Sequence, residues 1–519
     1  LSSPAARLVK TMRRDNSTRD LFEQVIAEHL PPRASWPDLV YATPELAYTA
    51  AFNLAEALLA PSRIDPRKTA IHFRAARISY EWLRRRMLQL SAGLIGLGVR
   101  PADRVALRLP NGPDFVAAWL ALQWIGAIAV QMPPLYRRRE IDRVVSHSGA
   151  TVVLCARELS GDLEAVCRPL DVRVIGVDDL PCDSAADPAP FPTPRDAPAV
   201  ITYISCADGP LRGVVHSPAD FLAAADAYAR GVLGLEAADV CIGAAGLSWA
   251  FGLGALLVFP LRAGATAAFA EGPAELLDAI AASRATVLFG VPTIYRILLG
   301  HPKLGSSDLT SLRCCVSAAE PLSADVAEQW RARTGVEILD GLGTTELTHI
   351  FVSARSGQTR PGFVGTPVAG YDTRIVDRQF RELPDGTAGE LAVRGPTGAR
   401  YWRDPEAQCR TVRHGWTLTG DICVRHPGGW LQHVRRADTL IVSAGYKISI
   451  REVEDALNGH PDVSEARVFG VPDPVRGAVA SAVVTPEPRA ERSTLAERLQ
   501  QYLKTELAPF KCPRTIRIQ

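Results

Sequence analysis

Net charge is the first thing this sequence has little of. Its 519 residues carry 58 lysines and arginines against 56 aspartates and glutamates, a formal charge of +2. A chain this long and this balanced has no electrostatic footprint for nucleic acid. Metal-binding cysteine spacings are missing too. The ten cysteines are scattered, Cys314-Cys315 is the one adjacent pair, and no CxxC or Cys/His ligand spacing occurs. Free thiols in a reducing, cytoplasmic setting are the expectation. Leu1 to Asp15 holds Arg7, Lys10, Arg13 and Arg14 but no apolar core of signal-peptide type. Cys241 to Leu261 has no charged residue and is long enough to span a bilayer. Its Gly243, Gly246, Gly252, Gly254 and Pro260 suit buried turns and strands as well, and a soluble chain without a membrane segment is expected.

Familiar catalytic templates are absent. There is no GxxxxGK[ST], no GxGxxG opening a helix after a strand, no HExxH and no GxSxG. That excludes an ordinary P-loop, a dinucleotide fingerprint, a zincin and an α/β-hydrolase elbow. Internal repeats and low-complexity tracts are missing as well.

What remains is a folded chain, 47% hydrophobic and 22% charged, long enough for roughly three or four domains or subdomains. Strand-like runs alternate with helix-length amphipathic stretches. Val105 to Leu109 is followed by Asp114 to Ile125, Ala127 to Gln131, Arg137 to His147 and Thr151 to Cys155. This alternation predicts βαβ units and parallel sheets. Further strands are expected at Val200 to Ser205, Val287 to Val291 and Arg313 to Ser317, with Pro181 to Pro198 as a surface connection between two sheets. After Gly362, turn signals such as Leu383-Pro384-Asp385-Gly386 predict a small barrel-like or curled β subdomain, about 362–434. From Arg435 the pattern returns to mixed α/β, with helices at Arg451 to Leu457 and Arg492 to Leu507. The expected division is 1–434 and 435–519.

Four polar segments at strand ends carry chemistry. Ser205-Cys206-Ala207-Asp208-Gly209-Pro210-Leu211-Arg212-Gly213 has the glycines and the basic residue that present N–H groups and charge to a phosphate; a plain surface turn reads the same way. Asp340-Gly341-Leu342-Gly343-Thr344-Thr345-Glu346 offers close backbone approach, hydroxyls and a carboxylate for Mg²⁺, or a turn into a helix N-cap. Thr419-Gly420-Asp421 places a carboxylate where it would hold a ribose diol. Arg435-Arg436-Ala437-Asp438 leads into Ser443-Ala444-Gly445-Tyr446-Lys447, then Glu452 and Glu454. Taken singly, the last two read rather as ordinary turns or solvated charge clusters.

In this order and spacing the four resemble the adenylate-forming acyl-/aryl-CoA ligase family over nearly the whole chain. Arg19-Asp20, His29-Leu30-Pro31-Pro32, Ser35-Trp36-Pro37 and Phe251-Gly252-Leu253-Gly254 look most like benzoate- and 2-aminobenzoate-CoA ligases. So do Phe289-Gly290-Val291-Pro292-Thr293, Leu347-Thr348-His349-Ile350-Phe351, Gly470-Val471-Pro472-Asp473 and Val475-Arg476-Gly477. The resemblance implies a large N-terminal domain of two parallel-type α/β sheets with a β subdomain, and a small mobile C-terminal α/β domain. It implies ATP, Mg²⁺ and coenzyme A, and a reaction through an aryl-adenylate to an aryl-CoA thioester.

By the same resemblance Thr345, Glu346 and Arg212 are catalytic, with Glu346 on the metal and Thr345 at the α-phosphate. Ser205, Gly209, Gly213, Ala318, Ala319, Glu320, Asp340, Gly341, Leu342, Gly343, Thr345, Asp421 and Arg436 would hold ATP or AMP, the last pair at the ribose. Ala250, Phe251, Phe289, Gly341, Leu347 and His349 would line the acyl pocket, with Leu342 beside them, although each aromatic alone reads as core. His349 would accept from an ortho-amino group or stand as a structural histidine; His216 is read as structural. Asp438 is the hinge, and Gly445 and Tyr446 belong to the CoA tunnel.

The segment at 205–213 departs from the family's Ser-Gly-Thr-Thr-Gly-x-Pro-Lys-Gly: a glycine and both threonines are replaced, one by Asp208, and lysine has become Arg212. Arg435 stands where a glycine is usual. The family's Gly-Lys motif, whose lysine serves adenylation, does not occur before Gln519; without that lysine adenylation would suffer and thioester chemistry would not. These departures keep two alternatives beside the ligase: an aryl transferase between CoA and a carrier-protein phosphopantetheine, and a non-catalytic aryl-CoA or AMP binder. The expected partners are a small aromatic carboxylic acid and, as candidates, a carrier protein and a second copy of the chain.

Overall fold

The computed structural model describes residues 15–60, 65–180 and 187–519. Two large sheets dominate it. The first has six strands, in the order Gly209–His216, Val200–Cys206, Ile128–Gln131, Arg104–Arg108, Val152–Cys155 and Arg173–Gly176. All its neighbours are parallel except the edge hairpin of the first two. The second has nine strands. Its centre, from Thr69–Phe73 through Thr266–Phe269, Val240–Gly243, Val287–Gly290 and Cys314–Ser317 to Ile338–Gly343, is parallel. Ala76–Ser79, Ile350–Ser353 and Thr366–Pro367 add antiparallel edges. An antiparallel five-stranded sheet follows, Asp372–Val376, Ala388–Arg394, Val412–Arg413, Trp416–His426 and Trp430–Arg436. A last five-stranded sheet, Ile441–Ser443, Tyr446–Ile448, Val463–Asp473, Gly477–Pro486 and Thr515–Ile518, packs on helices Ile450–Asn458 and Arg492–Glu506. The fold is α/β, as the alternation predicts.

Local chemistry explains the elements. Pro113–Trp124 starts with proline at its first position and Asp114 in its first turn. From Phe115 to Trp124 every residue is buried, because the helix belongs to the main core; that is why it shows no amphipathic stripe. Ala324–Thr334 is capped by Ser323 and ends at Gly335, where φ is +74°. The uncharged run 241–261 is divided: the end of strand Val240–Gly243, a turn, then Ala250–Leu253 continuing through a wider π turn, Gly254–Val258, into Phe259–Ala263. Among the described residues no helix is long and apolar enough to cross a membrane.

The expected surface connection 181–198 is more involved than a linker. Residues 181–186 lie outside the described residues, but Thr193–Pro194 pairs with Ala51–Phe52, and Ala197 is buried. Strand pairing there consumes backbone groups that a free loop would leave to water.

The C-terminal sheet is docked on the large one through named contacts. Lys511 Nζ lies 3.1 Å from Glu140 and 2.6 Å from Glu452, with no exposure of the Lys511 or Glu140 side chain. Ala508 N donates to Glu140 at 2.9 Å, and Glu506 accepts from Arg138 and Arg139 at 3.2 Å each. Tyr446 stacks on Phe510 at 4.3 Å, and Trp249 meets both rings edge-on at 5.8 and 6.3 Å.

Candidate active site

A cavity of about 830 Å³ opens where the strand ends of the nine-stranded sheet face the antiparallel and C-terminal sheets. It gathers most of the residues singled out from the sequence. Ser205, Ala250, Phe251, Phe289, Ala318, Ala319, Glu320, Gly341, Leu342, Gly343, Thr345, Glu346, His349, Asp421, Arg436, Asp438, Gly445 and Tyr446 all line it. Gly209, Arg212, Gly213, Asp340 and Leu347 do not.

The apolar end is built from rings. Phe251 stacks on His349 at 5.4 Å and 17°, and Phe289 meets Phe251 at 6.3 Å. Phe259 supports His349 from behind at 4.5 Å, edge-on. Gly254 makes room for this: a Cβ there would lie 2.4 Å from the His349 ring. His349 Nε2 stands 3.2 Å from the Phe251 carbonyl, so that nitrogen donates and Nδ1 keeps its lone pair. Nδ1 is buried and unpartnered. Burial lowers the His349 pKa to about 4, so the ring is neutral at pH 7. Leu347 is fully buried behind this wall; it is core, and its carbonyl accepts from Thr397 at 3.0 Å.

Burial also lowers His147 to about 4 and His216 to about 3. An unfolded chain takes up these protons near pH 6.5. Stability is therefore expected to fall as pH drops from about 6.5 toward 4. Thermal melts at pH 7 and pH 5 check this, and the fall should be shallower for His349→Gln.

The polar end is an antiparallel hairpin. Asp421, on Trp416–His426, faces Arg436, on Trp430–Arg436. Arg436 Nη1 donates to Asp421 Oδ1 at 3.0 Å, and His433 Nε2 lies 3.2 Å from the same atom. Burial works against the Asp421 charge, yet His433 and Arg436 hold the carboxyl below its usual range. Gly420, at φ +71°, is required: a Cβ would sit 2.8 Å from Arg436 Nη2. Arg436 also holds Asp438.

Thr345 and Glu346 line the same cavity. Glu346 Oε1 accepts from Tyr401 at 2.9 Å. Among the described residues no three metal-ligating side chains converge. One carboxylate beside hydroxyls is the oxygen set that suits Mg²⁺ held mainly by substrate phosphates and water.

Two segments differ from the sequence reading. Asp340 to Gly343 is not a loop but the end of strand Ile338–Gly343. Its glycines make room for the chain's own backbone: a Cβ on Gly343 would meet the His349 carbonyl at 2.7 Å. Asp340 is drawn into that strand, and burial pushes its carboxyl up to about 7. The 205–213 segment is likewise no open cradle. Cys206 pairs with Gly209, closing a tight turn on Ala207-Asp208. Arg212 is bound to Asp208 at 3.1 Å and Asp404 at 2.7 Å, over the Tyr401 ring. Arg410 also holds Asp208, at 2.7 Å. The acid that breaks the familiar pattern thus neutralises the arginine beside it. Glu320 reaches the cavity wall with its carboxylate spent on Thr293 N at 3.0 Å and Arg296 at 3.1 Å, at the start of helix Pro292–Leu299.

Gly445 lies at φ +82°, where an added Cβ would come 3.1 Å from Val291. Lys447, two residues on, also lines the cavity. Sequence reasoning quoted it only as part of a motif, and its signal was the lone cation in an otherwise apolar strand.

Residues 61–402 match the AMP-binding enzyme family, and residues 452–519 match the AMP-binding enzyme C-terminal domain. The benzoate–CoA ligase of Thauera aromatica is 33% identical over 484 residues, covering 90% of this chain and 92% of that protein. The anthranilate–CoA ligase of Pseudomonas aeruginosa is 32% identical over 488 residues, 90% of this chain and 92% of its own length. A crystal structure of an anthranilate CoA ligase in complex with anthranoyl-AMP superposes with a TM-score of 0.73 at 28% identity, covering 92% of this chain and 95% of that one.

Proposed function

This chain belongs to the AMP-binding enzymes as an AMP-forming acid–thiol ligase of the aryl-CoA ligase group, and we propose that its acid is benzoate or 2-aminobenzoate. The observation that carries this reading is a single cavity joining a flat aromatic end to the Asp421–Arg436 pair. A benzoate-sized ring would lie against Phe251, Phe289 and His349, which line that end of the cavity. Neutral His349 adds no charge to repel or attract the acid, so its carboxylate is directed toward the polar end. Asp421 accepts from the ribose hydroxyls of ATP while Arg436 holds the aspartate in place. The acid then attacks the α-phosphate beside Thr345, giving aryl-adenylate and pyrophosphate. CoA thiol enters past Gly445 and displaces AMP. Neither step needs a protein nucleophile; both need charge neutralised and reactants positioned. Mg²⁺, held by Glu346 and the nucleotide, would supply charge neutralisation on the phosphates.

Residues 1–434 and 435–519 are read as the two working units, with Asp438 as hinge, in the cytoplasm. Ser205, Ala318 and Ala319 are assigned to the nucleotide and Ala250 and Leu342 to the ring.

Carboxylate-dependent ATP–pyrophosphate exchange tests the proposal. Exchange is expected with benzoate or anthranilate and not with a medium-chain fatty acid. No exchange, with aryl transfer from anthraniloyl-CoA to a phosphopantetheine thiol still detectable, would replace the ligase by the transferase.

A further inference from the structure

Glu346 is the carboxylate assigned to the metal, and its backbone alone does not aim it. It sits in the short turn Thr345–Leu347, where Thr344 Oγ1 accepts from Leu347 N at 3.3 Å and the chain leaves through Thr348 at φ +71°. That fixes where the side chain starts. A glutamate left to itself samples several rotamers, and ordering it costs free energy. Among the described residues the Glu346 carboxylate accepts one hydrogen bond, from the Tyr401 hydroxyl at 2.9 Å.

Tyr401 is itself firmly placed. Its segment runs beside the strand Gly209–His216, with Trp402 N donating to the Gly213 carbonyl at 2.9 Å and Val215 N to the Arg400 carbonyl at 2.8 Å. Tyr401 N donates to Gln408 Oε1 at 3.0 Å. The side chain is buried in an apolar cluster with Val214, Ala399, Ala407 and Val412. Phenylalanine would fill that cluster as well, so packing does not account for the hydroxyl. A tyrosine buried in such surroundings needs a partner for its O–H. Here the partner is a carboxylate, which accepts only, so the tyrosine donates. Arg212 lies over the same ring at 5.3 Å. One ring thus touches both the arginine of the 205–213 hairpin and the carboxylate at the cavity.

We propose that Tyr401 is a positioning residue for the metal, its hydroxyl holding Glu346 in the rotamer that receives the Mg²⁺ carried by ATP. The proposal rests on the ligase reading, in which Glu346 is the protein's ligand to that ion. A metal held mainly by phosphates and water takes one or two carboxylates from the protein. With a single carboxylate available, its orientation decides how much the protein adds to the binding of the metal–nucleotide complex.

The test measures ATP binding to the full chain by isothermal titration, without acid or CoA, once with Mg²⁺ and once with EDTA. Tyr401→Phe is expected to lose about 10-fold in ATP affinity with Mg²⁺, the share of one hydrogen bond to a charged group, and nothing with EDTA. Its melting temperature should stay near wild type. In a Glu346→Ala background, adding Tyr401→Phe should change nothing further, because the tyrosine acts through the glutamate. In benzoate-dependent pyrophosphate exchange, the Mg²⁺ concentration for half-maximal rate should rise about 10-fold while KM for benzoate holds. Equal losses with Mg²⁺ and EDTA, or a further loss in the Glu346→Ala background, would make Tyr401 a packing residue and overturn the proposal. So would unchanged affinity in Tyr401→Phe, or a wild type whose ATP affinity ignores Mg²⁺. A wild type that binds ATP with Mg²⁺ yet exchanges with no aryl acid counts against the ligase reading and leaves the titration intact.

Discussion

Arg212→Ala is expected to lower aryl-dependent ATP–pyrophosphate exchange about 100-fold, the cost of removing one charge-stabilising donor. Thioester formation from supplied adenylate should be unchanged. The reason lies in how the arginine is held. It is bound by Asp208 and Asp404 and lies over Tyr401, whose hydroxyl donates to Glu346. Arg212 therefore sits beside Glu346 without itself lining the cavity. To serve a triphosphate, Arg212 must exchange Asp208 for phosphate oxygens. Asp208→Ala removes the competitor and a like charge, and is expected to raise kcat/KM for ATP by about threefold, in line with a half-exposed pair worth under about 1 kcal/mol. If Asp208→Ala lowers exchange instead, the aspartate is part of the nucleotide site and not a competitor. Exchange unaffected by Arg212→Ala would mean that the hairpin never reaches the nucleotide.

This hairpin also shows where sequence reading stops. Strand runs such as Val200 to Ser205 and helix stretches such as Asp114 to Ile125 emerge within a residue or so of their observed ends, because burial on both faces leaves continuous apolar runs. Asp421 and Arg436 are each legible as part of a motif, but both lie in strands, and their pairing across the hairpin is not legible. What the sequence hides is pairing between segments. Gly209 looks like a phosphate-loop glycine until Cys206 is found opposite it. Gly343 looks like a site of ligand approach until the strand Ile350–Ser353 is laid beside it. Leu347 falls in a pocket motif, yet the turn Thr345–Leu347 rotates it into the core. In each case a local pattern fits two partners, and only the tertiary neighbour decides which one it has. The contact of Lys511 with Glu140 is of the same kind: no motif links residues so distant in the chain.

That contact carries the second large expectation. Glu140→Ala should cut thioester formation from supplied adenylate about 100-fold while pyrophosphate exchange survives. Glu140 Oε1 takes both Lys511 Nζ and Ala508 N, and Oε2 takes Arg137 N at the start of its own helix. Alanine leaves a fully buried ammonium with Glu452 alone and strands a backbone donor. Breaking such a pair from one side costs about 3–5 kcal/mol. Glu140 lies on helix Arg138–Ser148, and Lys511 and Ala508 follow helix Arg492–Glu506 of the C-terminal part, so the loss falls on the docking of one on the other. Docking is what sets Gly445 against Val291 and Lys447 in the cavity. The double variant Glu140→Ala with Lys511→Met separates charge from packing. It removes the stranded cation together with the carboxylate that faced it. A double variant faster than Glu140→Ala in single-turnover thioester formation gives the favourable coupling expected of residues in contact. Additive losses would show that the two residues act separately and that the docked pose is held elsewhere, at Trp249 and Phe510 or at Glu506.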